Sequence, residues 1–380
     1  MPIISHVARR MLLAAAMTAV GLGAGAASSS ASASTSCLCF HAVYRATTGF
    51  IHDSAFNVTT RSWSDQIAPG SVPAKTDPYA VKTADNRYHI VYVGTDGFVH
   101  DDFEDPATKA FTDLIPVGSV KAAPVVPAVT DFVDATGQLT QHIVYVGQDG
   151  FVHNDGFDPK TGTWFDQIPP GSVKAAGNSI SAVDEFNHHF QIVYLGTDLR
   201  LHQARYDSAT GLWSNSVVPG SAPANNAARV GFANDGSFHV VYLGQDLFVH
   251  NDGVNPSSGA SFDQIPPKSI GAFGIPAFTL GPDGDPHIVY WGDDGKVHND
   301  NYNPSSGTWF DQIPPGSIRA QSSPDAATTF NDTFQVVYIG TDGRLHDDVY
   351  NPSTGGWSDT IPTGSVAAAG VLPAVANTDI

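Results

Sequence analysis

From residue 40 onward the chain alternates short runs of apolar, β-branched and aromatic residues with clusters of Gly, Pro, Asn and Asp, and no stretch keeps a helical period. Residues 127–170 show the pattern most regularly. A run of small and apolar residues at 127–132 is followed by a β-rich run at 142–146, the turn Gly147-Gln148-Asp149-Gly150 and a further run at 151–155. The turn at 158–162 then leads into a last run at 164–168. Val, Ile, Tyr, Phe and Trp suit pleated, half-buried surfaces, whereas Gly, Pro, Asn and Asp mark bends, so the segment predicts four strands. The Ile-Pro-Pro-Gly-Ser segment that follows Ile168 lacks the amide donors needed to continue a ladder and should carry the chain onward. Close variants of it follow Ile67, Ile115, Ile265, Ile313 and Ile361, which predicts a uniform crossing.

The whole pattern recurs seven times. Its most regular marker is the histidine of the third strand, at His52, His100, His153, His202, His250, His298 and His346, with spacings of 48, 53, 49, 48, 48 and 48 residues. A unit of that length made only of strands and turns cannot bury its apolar face alone, so copies must pack on one another. Seven copies predict an all-β, seven-bladed β-propeller with four-stranded blades, occupying 37–380 as one domain. The ends supply a closure. Residues 40–44 form a second strand with no first strand before it, while 371–376 match the first strand of the third unit with no second strand after it. Pairing the two closes the ring and removes two exposed sheet edges.

Residues 1–26, with Arg9, Arg10 and an apolar run over 11–22, read as a secretory signal with cleavage after Ala26 or Ala33. That run is shorter than the ~20 apolar residues of a spanning helix, so a secreted protein without membrane insertion is expected. Loss of Arg9 and Arg10 moves the formal charge from −19 to −21. Such a balance argues against nucleic acid, whose phosphates need clustered Lys and Arg. The only cysteines, Cys37 and Cys39, cannot staple a fold of this size or supply a structural zinc site.

Four columns of repeated residues could carry chemistry. Five units open the second strand with His41, His89, His142, His239 or His287, and two use Gln191 or Gln335. A position that takes either type wants a hydrogen bond, which reads as structural. The third-strand histidines either tie strands together or face a groove, and lying on different blades they cannot converge on one zinc ion. Acid or amide pairs follow them, with Asp102, Asp155, Asp252, Asp300 and Asp348 in second place. Unit four departs, with Gln203-Ala204-Arg205 and Asn215 where six units have aspartate. An aromatic opens each fourth strand: Trp63, Phe111, Trp164, Trp213, Phe262, Trp309 and Trp357. Such rings either pack blades together or offer a platform to the apolar face of a sugar. The Asp-Gly turns are explained by hairpin chemistry, so no metal and no cofactor are expected.

A propeller enzyme assembles one asymmetric site, whereas these copies are nearly interchangeable and carry no hydrolase elbow or metalloprotease helix. The irregular patch of Glu185, His188, His189, Arg200 and Arg205 is where a unique site would hide, with Asp184 or Glu185 as candidate acids for a polysaccharide-acting glycosidase or lyase. Otherwise no catalytic residue is expected. Equivalent copies favour multivalent binding to surfaces that display one ligand many times. The segment Val-Gly-Thr-Asp-Gly-Phe-Val-His, followed some ten residues later by Trp, resembles repeats of the bacterial seven-bladed fucose-binding lectins and, more distantly, of six-bladed fungal fucose lectins. The resemblance covers all seven units and implies glycan sites between adjacent blades and association of identical chains. Two features depart from it. The paired tryptophans after the histidine are missing, and Ile143 and Asn154 stand where the six-bladed lectins have the Arg and Glu that hold fucose. The expected ligand-binding set is therefore His52, His100, His153, His250, His298 and His346 with those five aspartates and Trp63, Trp164, Trp309 and Trp357. The alternative is a protein-interaction or cell-surface scaffold.

Overall fold

A computed structural model describes residues 38–378 apart from 69, 186, 187, 256, 330 and 331. The secretory signal expected at 1–26 and Cys37 lie outside the described residues; Cys39 is disulfide-bonded.

Among the described residues twenty-eight strands assemble into seven four-stranded antiparallel sheets, in six of which the strands pair in sequence order. Blade 3 is representative, with strands Ala128–Val133, Leu139–Val146, Val152–Asp158 and Thr163–Gln167. First strands touch the first strands of adjacent blades, so they line the axis, and the fourth strands form the rim. Second strands are fully buried runs such as Tyr88–Val93 and Phe238–Leu243, as expected of strands covered on both faces. Fourth strands alternate exposed and half-buried residues.

Blade 1 is closed as the ends of the sequence predict. Ala374–Thr378 pairs antiparallel with Cys39–Arg45, placing Ala376 opposite His41 and Val375 opposite Ala42. The closing strand starts three residues later than the sequence suggests, because Leu372 is drawn into an apolar plug with Tyr79, Val126, Ala227 and Ile275 from other blades.

The joint between blades is the same all the way round. In the Pro-rich turn the Ser amide bonds back three residues, for example Ser172 N to Pro169 O at 3.2 Å. The next residue then donates its amide to the phenol of the following blade's second strand. Val72, Val120, Val173, Ala222, Ile270 and Ile318 reach Tyr92, Tyr145, Tyr194, Tyr242, Tyr290 and Tyr338, and Val366 closes the circle on Tyr44. Seven buried tyrosines thus dock seven turns, each phenol satisfying an amide that would otherwise be lost to water. Among the described residues no helix is long and apolar enough to cross a membrane.

Candidate ligand grooves between blades

The third-strand histidines are 2–6 % exposed and lie inside their blades. On one side Nδ1 meets the fourth-strand aspartate, as in His52–Asp65 at 2.7 Å and His100–Asp113, His153–Asp166, His250–Asp263 and His298–Asp311 at 2.9 Å. On the other side Nε2 meets the turn aspartate four residues earlier, Asp96, Asp149, Asp198, Asp246, Asp294 or Asp342, at 3.1–3.4 Å. The ring stacks on the docking tyrosine, with centroids 5.4 Å apart for Tyr145 and His153. It also lies flat against the first glycine of the turn, where a Cβ at Gly147 would stand 2.7 Å from the imidazole. Blade 1 has Ala46 and Thr48 at these two turn positions, and His52 Nε2 is correspondingly buried without a partner. Burial alone would depress these imidazoles, but the carboxylates on both sides outweigh it and raise the pKa of His100, His153, His298 and His346.

Asp102, Asp155, Asp252, Asp300 and Asp348 are at most 1 % exposed. Each lies directly opposite a second aspartate in the strand pair: Asp113, Asp166, Asp263, Asp311 and Asp359. Like charges so placed repel. Burial, reinforced by the facing carboxylate, pushes the inner member up to about 7 in blades 3, 6 and 7 and about 8 in blades 2 and 5, so the pair keeps one proton up to neutral pH. The other two blades dissolve the conflict by composition: Ser54 donates to Asp65 at 2.6 Å in blade 1, and Ala204 faces Asn215 in blade 4.

The second-strand column is a set of buried hydrogen bonds, as its His/Gln interchange suggests. Nδ1 of His41, His89, His142, His239 and His287 lies 2.8–2.9 Å from Asp53, Asp101, Asn154, Asn251 and Asn299. Against an amide, burial pulls His142 down to about 4 and lowers His239 and His287; against Asp101, the carboxylate overcomes burial and His89 is raised. In unit four three of the irregular residues, Glu185, Gln191 and Arg205, bind one another. Arg205 grips Glu185 with two nitrogens at 2.5 and 3.0 Å, and Gln191 donates to the same carboxylate at 2.7 Å.

The histidines and aspartates expected at a ligand are therefore interior groups of their blades rather than lining of a groove. Trp63, Trp164, Trp309 and Trp357 are placed differently. Each turns toward the preceding blade and packs beside its strands, with Trp309 6 % exposed. The aromatic column needs one correction. Trp164 faces Phe157 and Phe165 faces Gly156, whereas Phe262 faces Gly253, the equivalent of Gly156. Phe262 thus belongs with Phe165 and with Phe310 of blade 6, on the opposite face from the tryptophans, and Ser261 holds the Trp position in blade 5. Phe165 and Phe310 are 42 % and 51 % exposed.

This second aromatic face makes the grooves. Between blades 5 and 6 a cleft of ≈ 360 Å³ is bounded on one wall by His239, Asn251, Phe262 and Gln264 and on the other by Tyr302 and Trp309, with Asp285 and Asn255 at its rim. A small aromatic-lined cleft with a few fixed polar groups is the usual form of a small-ligand site. Two of its donors are buried and unmatched: the Trp309 Nε1 and the Asn251 Nδ2. Along the blade 5 wall, Asp235 accepts from Ser237 at 2.6 Å, Ser237 meets His239 Nε2 at 2.8 Å, and His239 meets Asn251 at 2.9 Å. The chain of bonds fixes the amide. Strand register repeats the set at blades 3 and 4 (His142, Asn154, Phe165, Gln167, with Tyr206 and Trp213) and at blades 6 and 7 (His287, Asn299, Phe310, Gln312, with Tyr350 and Trp357). Trp213 is self-satisfied there, donating to Gln167 at 3.1 Å, while the Trp357 Nε1 is buried and unmatched. The signal for these grooves is the Trp-Phe-Asp or Ser-Phe-Asp triplet of units 3, 5 and 6, in which the aromatic beside the aspartate faces the opposite way from the tryptophan.

No protein-family model and no curated protein matches the sequence. Solved structures do match its fold. AofleA from Arthrobotrys oligospora superposes with a TM-score of 0.52 at 14% identity, covering 81% of this chain and 91% of its own. The six-bladed lectin of Aleuria aurantia, described as having a novel fucose recognition mode, gives 0.50 at 14% identity over 76% and 94%. A fungal alcohol oxidase solved with copper gives 0.55 at 16% identity over 79% and 67%. At these identities the likeness is one of fold.

Proposed function

We propose that the protein is a secreted, non-catalytic carbohydrate-binding propeller that holds a sugar in the groove between blades 5 and 6, with related grooves between blades 3 and 4 and between blades 6 and 7. The observation that carries this reading is the pairing of facing aromatic rings with unmatched buried donors. Phe262 and Trp309 offer apolar faces to the C–H side of a pyranose, and the Trp309 Nε1–H and Asn251 Nδ2–H await hydroxyl oxygens. The histidine and aspartate columns set the spacing of the blades and hold these groups in place. Repetition of the groove suits avidity toward surfaces dense in one glycan. The fucose-recognising lectin of Aleuria aurantia, among the structures of similar fold, lends support.

A glycan array on the full chain, followed by calorimetry with the best free oligosaccharide, tests the proposal. The expected result is binding that falls by at least roughly tenfold per groove in Phe262→Ala, the loss of a stacked ring and its buried area. Absence of binding to any glycan by the folded wild type overturns it.

A further inference from the structure

Blade 5 carries the same histidine and facing aspartates as four other blades, yet its acid pair is the least satisfied. In blades 3, 6 and 7 the serine of the incoming Pro-rich turn bends over the inner carboxyl: Ser119 donates to Asp155, Ser269 to Asp300 at 2.6 Å and Ser317 to Asp348. In blade 2 the inner carboxyl takes the Tyr92 phenol at 3.2 Å. All four serines also bond the carbonyl three residues back, but in blade 5 the Ser221 hydroxyl reaches only that carbonyl, Val218 O at 2.9 Å, and neither oxygen of the fully buried Asp252 meets a donor at hydrogen-bonding distance and angle. Coordinating atoms of His250, Asp252 and Asp263 all lie within 4.8 Å of one another. A cation bonding each at about 2.1 Å closes that span with small side-chain adjustments.

We infer that His250, Asp252 and Asp263 form a binding site for one first-row divalent cation inside blade 5. One imidazole and two carboxylates suit Zn²⁺ or Mn²⁺, with open positions left for water. His250 offers Nδ1 while Nε2 is directed at Asp246, 3.2 Å away, the carboxylate-to-histidine arrangement that orients a metal-bound imidazole. Asp263, with a third of its side chain exposed, is the most open of the fourth-strand aspartates on these histidines and provides the way in. The ligands alternate along the strands with the groove residues, Asn251 between His250 and Asp252 and Asp263 between Phe262 and Gln264, so site and groove lie on opposite faces of the same sheet.

Blade 4 supplies the test, because Ala204 and Asn215 show which residues the blade accepts in place of the pair. The untagged full chain is stripped with chelator and titrated with Zn²⁺ and with Mn²⁺ by calorimetry, while thermal unfolding is followed with and without metal. One equivalent is expected to bind and raise the melting temperature. Asp252→Ala/Asp263→Asn should abolish both effects while keeping the chelator-treated unfolding transition, and the same change at Asp300 and Asp311 of blade 6 should leave them intact. Asp246→Asn, acting through the imidazole, should weaken binding roughly 10–100-fold. No binding by the wild type, or a stoichiometry unchanged by the blade 5 variant, overturns the assignment; so does equal loss in the blade 6 variant.

Discussion

Asp155→Asn isolates what one facing acid pair does to stability. Asparagine keeps the shape. Its oxygen accepts from Ser119 as the carboxyl does, and its amide donates to Asp166 in place of the shared proton. The wild-type carboxyl has a native pKa of about 7 against 3.8 for a solvated aspartate, raised by burial and by Asp166. A raised native pKa contributes stability that is complete below the unfolded value and is lost as pH climbs through the folded one. Wild type should therefore lose ground to the variant between about pH 4 and pH 7, at no more than ~1.4 kcal/mol per pH unit. Taken over the whole shift the ceiling is about 4 kcal/mol; with Asp166 partly open to solvent, about 2 kcal/mol is the expected change. For a domain of this size that is roughly 3 °C in melting temperature. The assay is thermal unfolding of both proteins from pH 4 to pH 8.5, read as their difference so that the other titrating groups cancel. A difference that stays flat across that range refutes the shared proton.

The same logic sets the pH profile of the wild type. Four more inner aspartates and the raised His100, His153, His298 and His346 lose stability as pH rises, whereas the depressed His142, His239 and His287 lose it as pH falls below 6.5, for His142 down to about 4, so denaturant melts should show a maximum on the acid side of neutrality. Gly147→Ala places a methyl 2.7 Å from the His153 ring and the Asp149 carboxylate and should cost ~1–3 kcal/mol, measured by urea unfolding; the same methyl is native in blade 1, so adding Asp149→Thr should recover part of the loss. Removal of residues 374–380 strips the closing strand from Cys39–Arg45 and should lower the melting temperature by far more than a trim of 379–380; equal melting of the two truncations refutes closure by that strand.

Much of the architecture is legible because it is written seven times. Strand number, the Pro-rich joint and the closing strand all follow from period and turn residues, which act locally. The histidine column shows where local reading stops. The invariance of His153 is equally compatible with a groove and with an interior, and only the register that sets Asp166 on one side of the ring and Asp149 on the other decides for the interior. The partners are visible as aspartates one strand away and four residues before, but both have simpler readings, as a strand-end acid and a hairpin turn. The aromatic column fails for a different reason. Counting inward from the turn puts Phe262 with Trp164, while counting back from the aspartate puts it with Phe165; one residue of slip moves a side chain to the other face of a sheet.

Unit four explains why the columns belong together. Its changes remove both members of the facing acid pair at once, Ala204 and Asn215, and its new Arg205 arrives with Glu185, one of only two glutamates in the chain. Changing one member alone would have left a buried carboxylate without its proton-sharing partner or a half-buried guanidinium without an acid, each costing more than the exchanged pair. Blade 1 shows the same coupling on a smaller scale, where the loss of one acid to Ser54 comes with a hydroxyl that bonds the remaining one. The facing acid pair thus varies by compensated sets in blades 1 and 4, while Ser261, Phe262 and Phe310 vary singly on the outer strands. Positions free to change one at a time are the ones available to tune what a groove recognises.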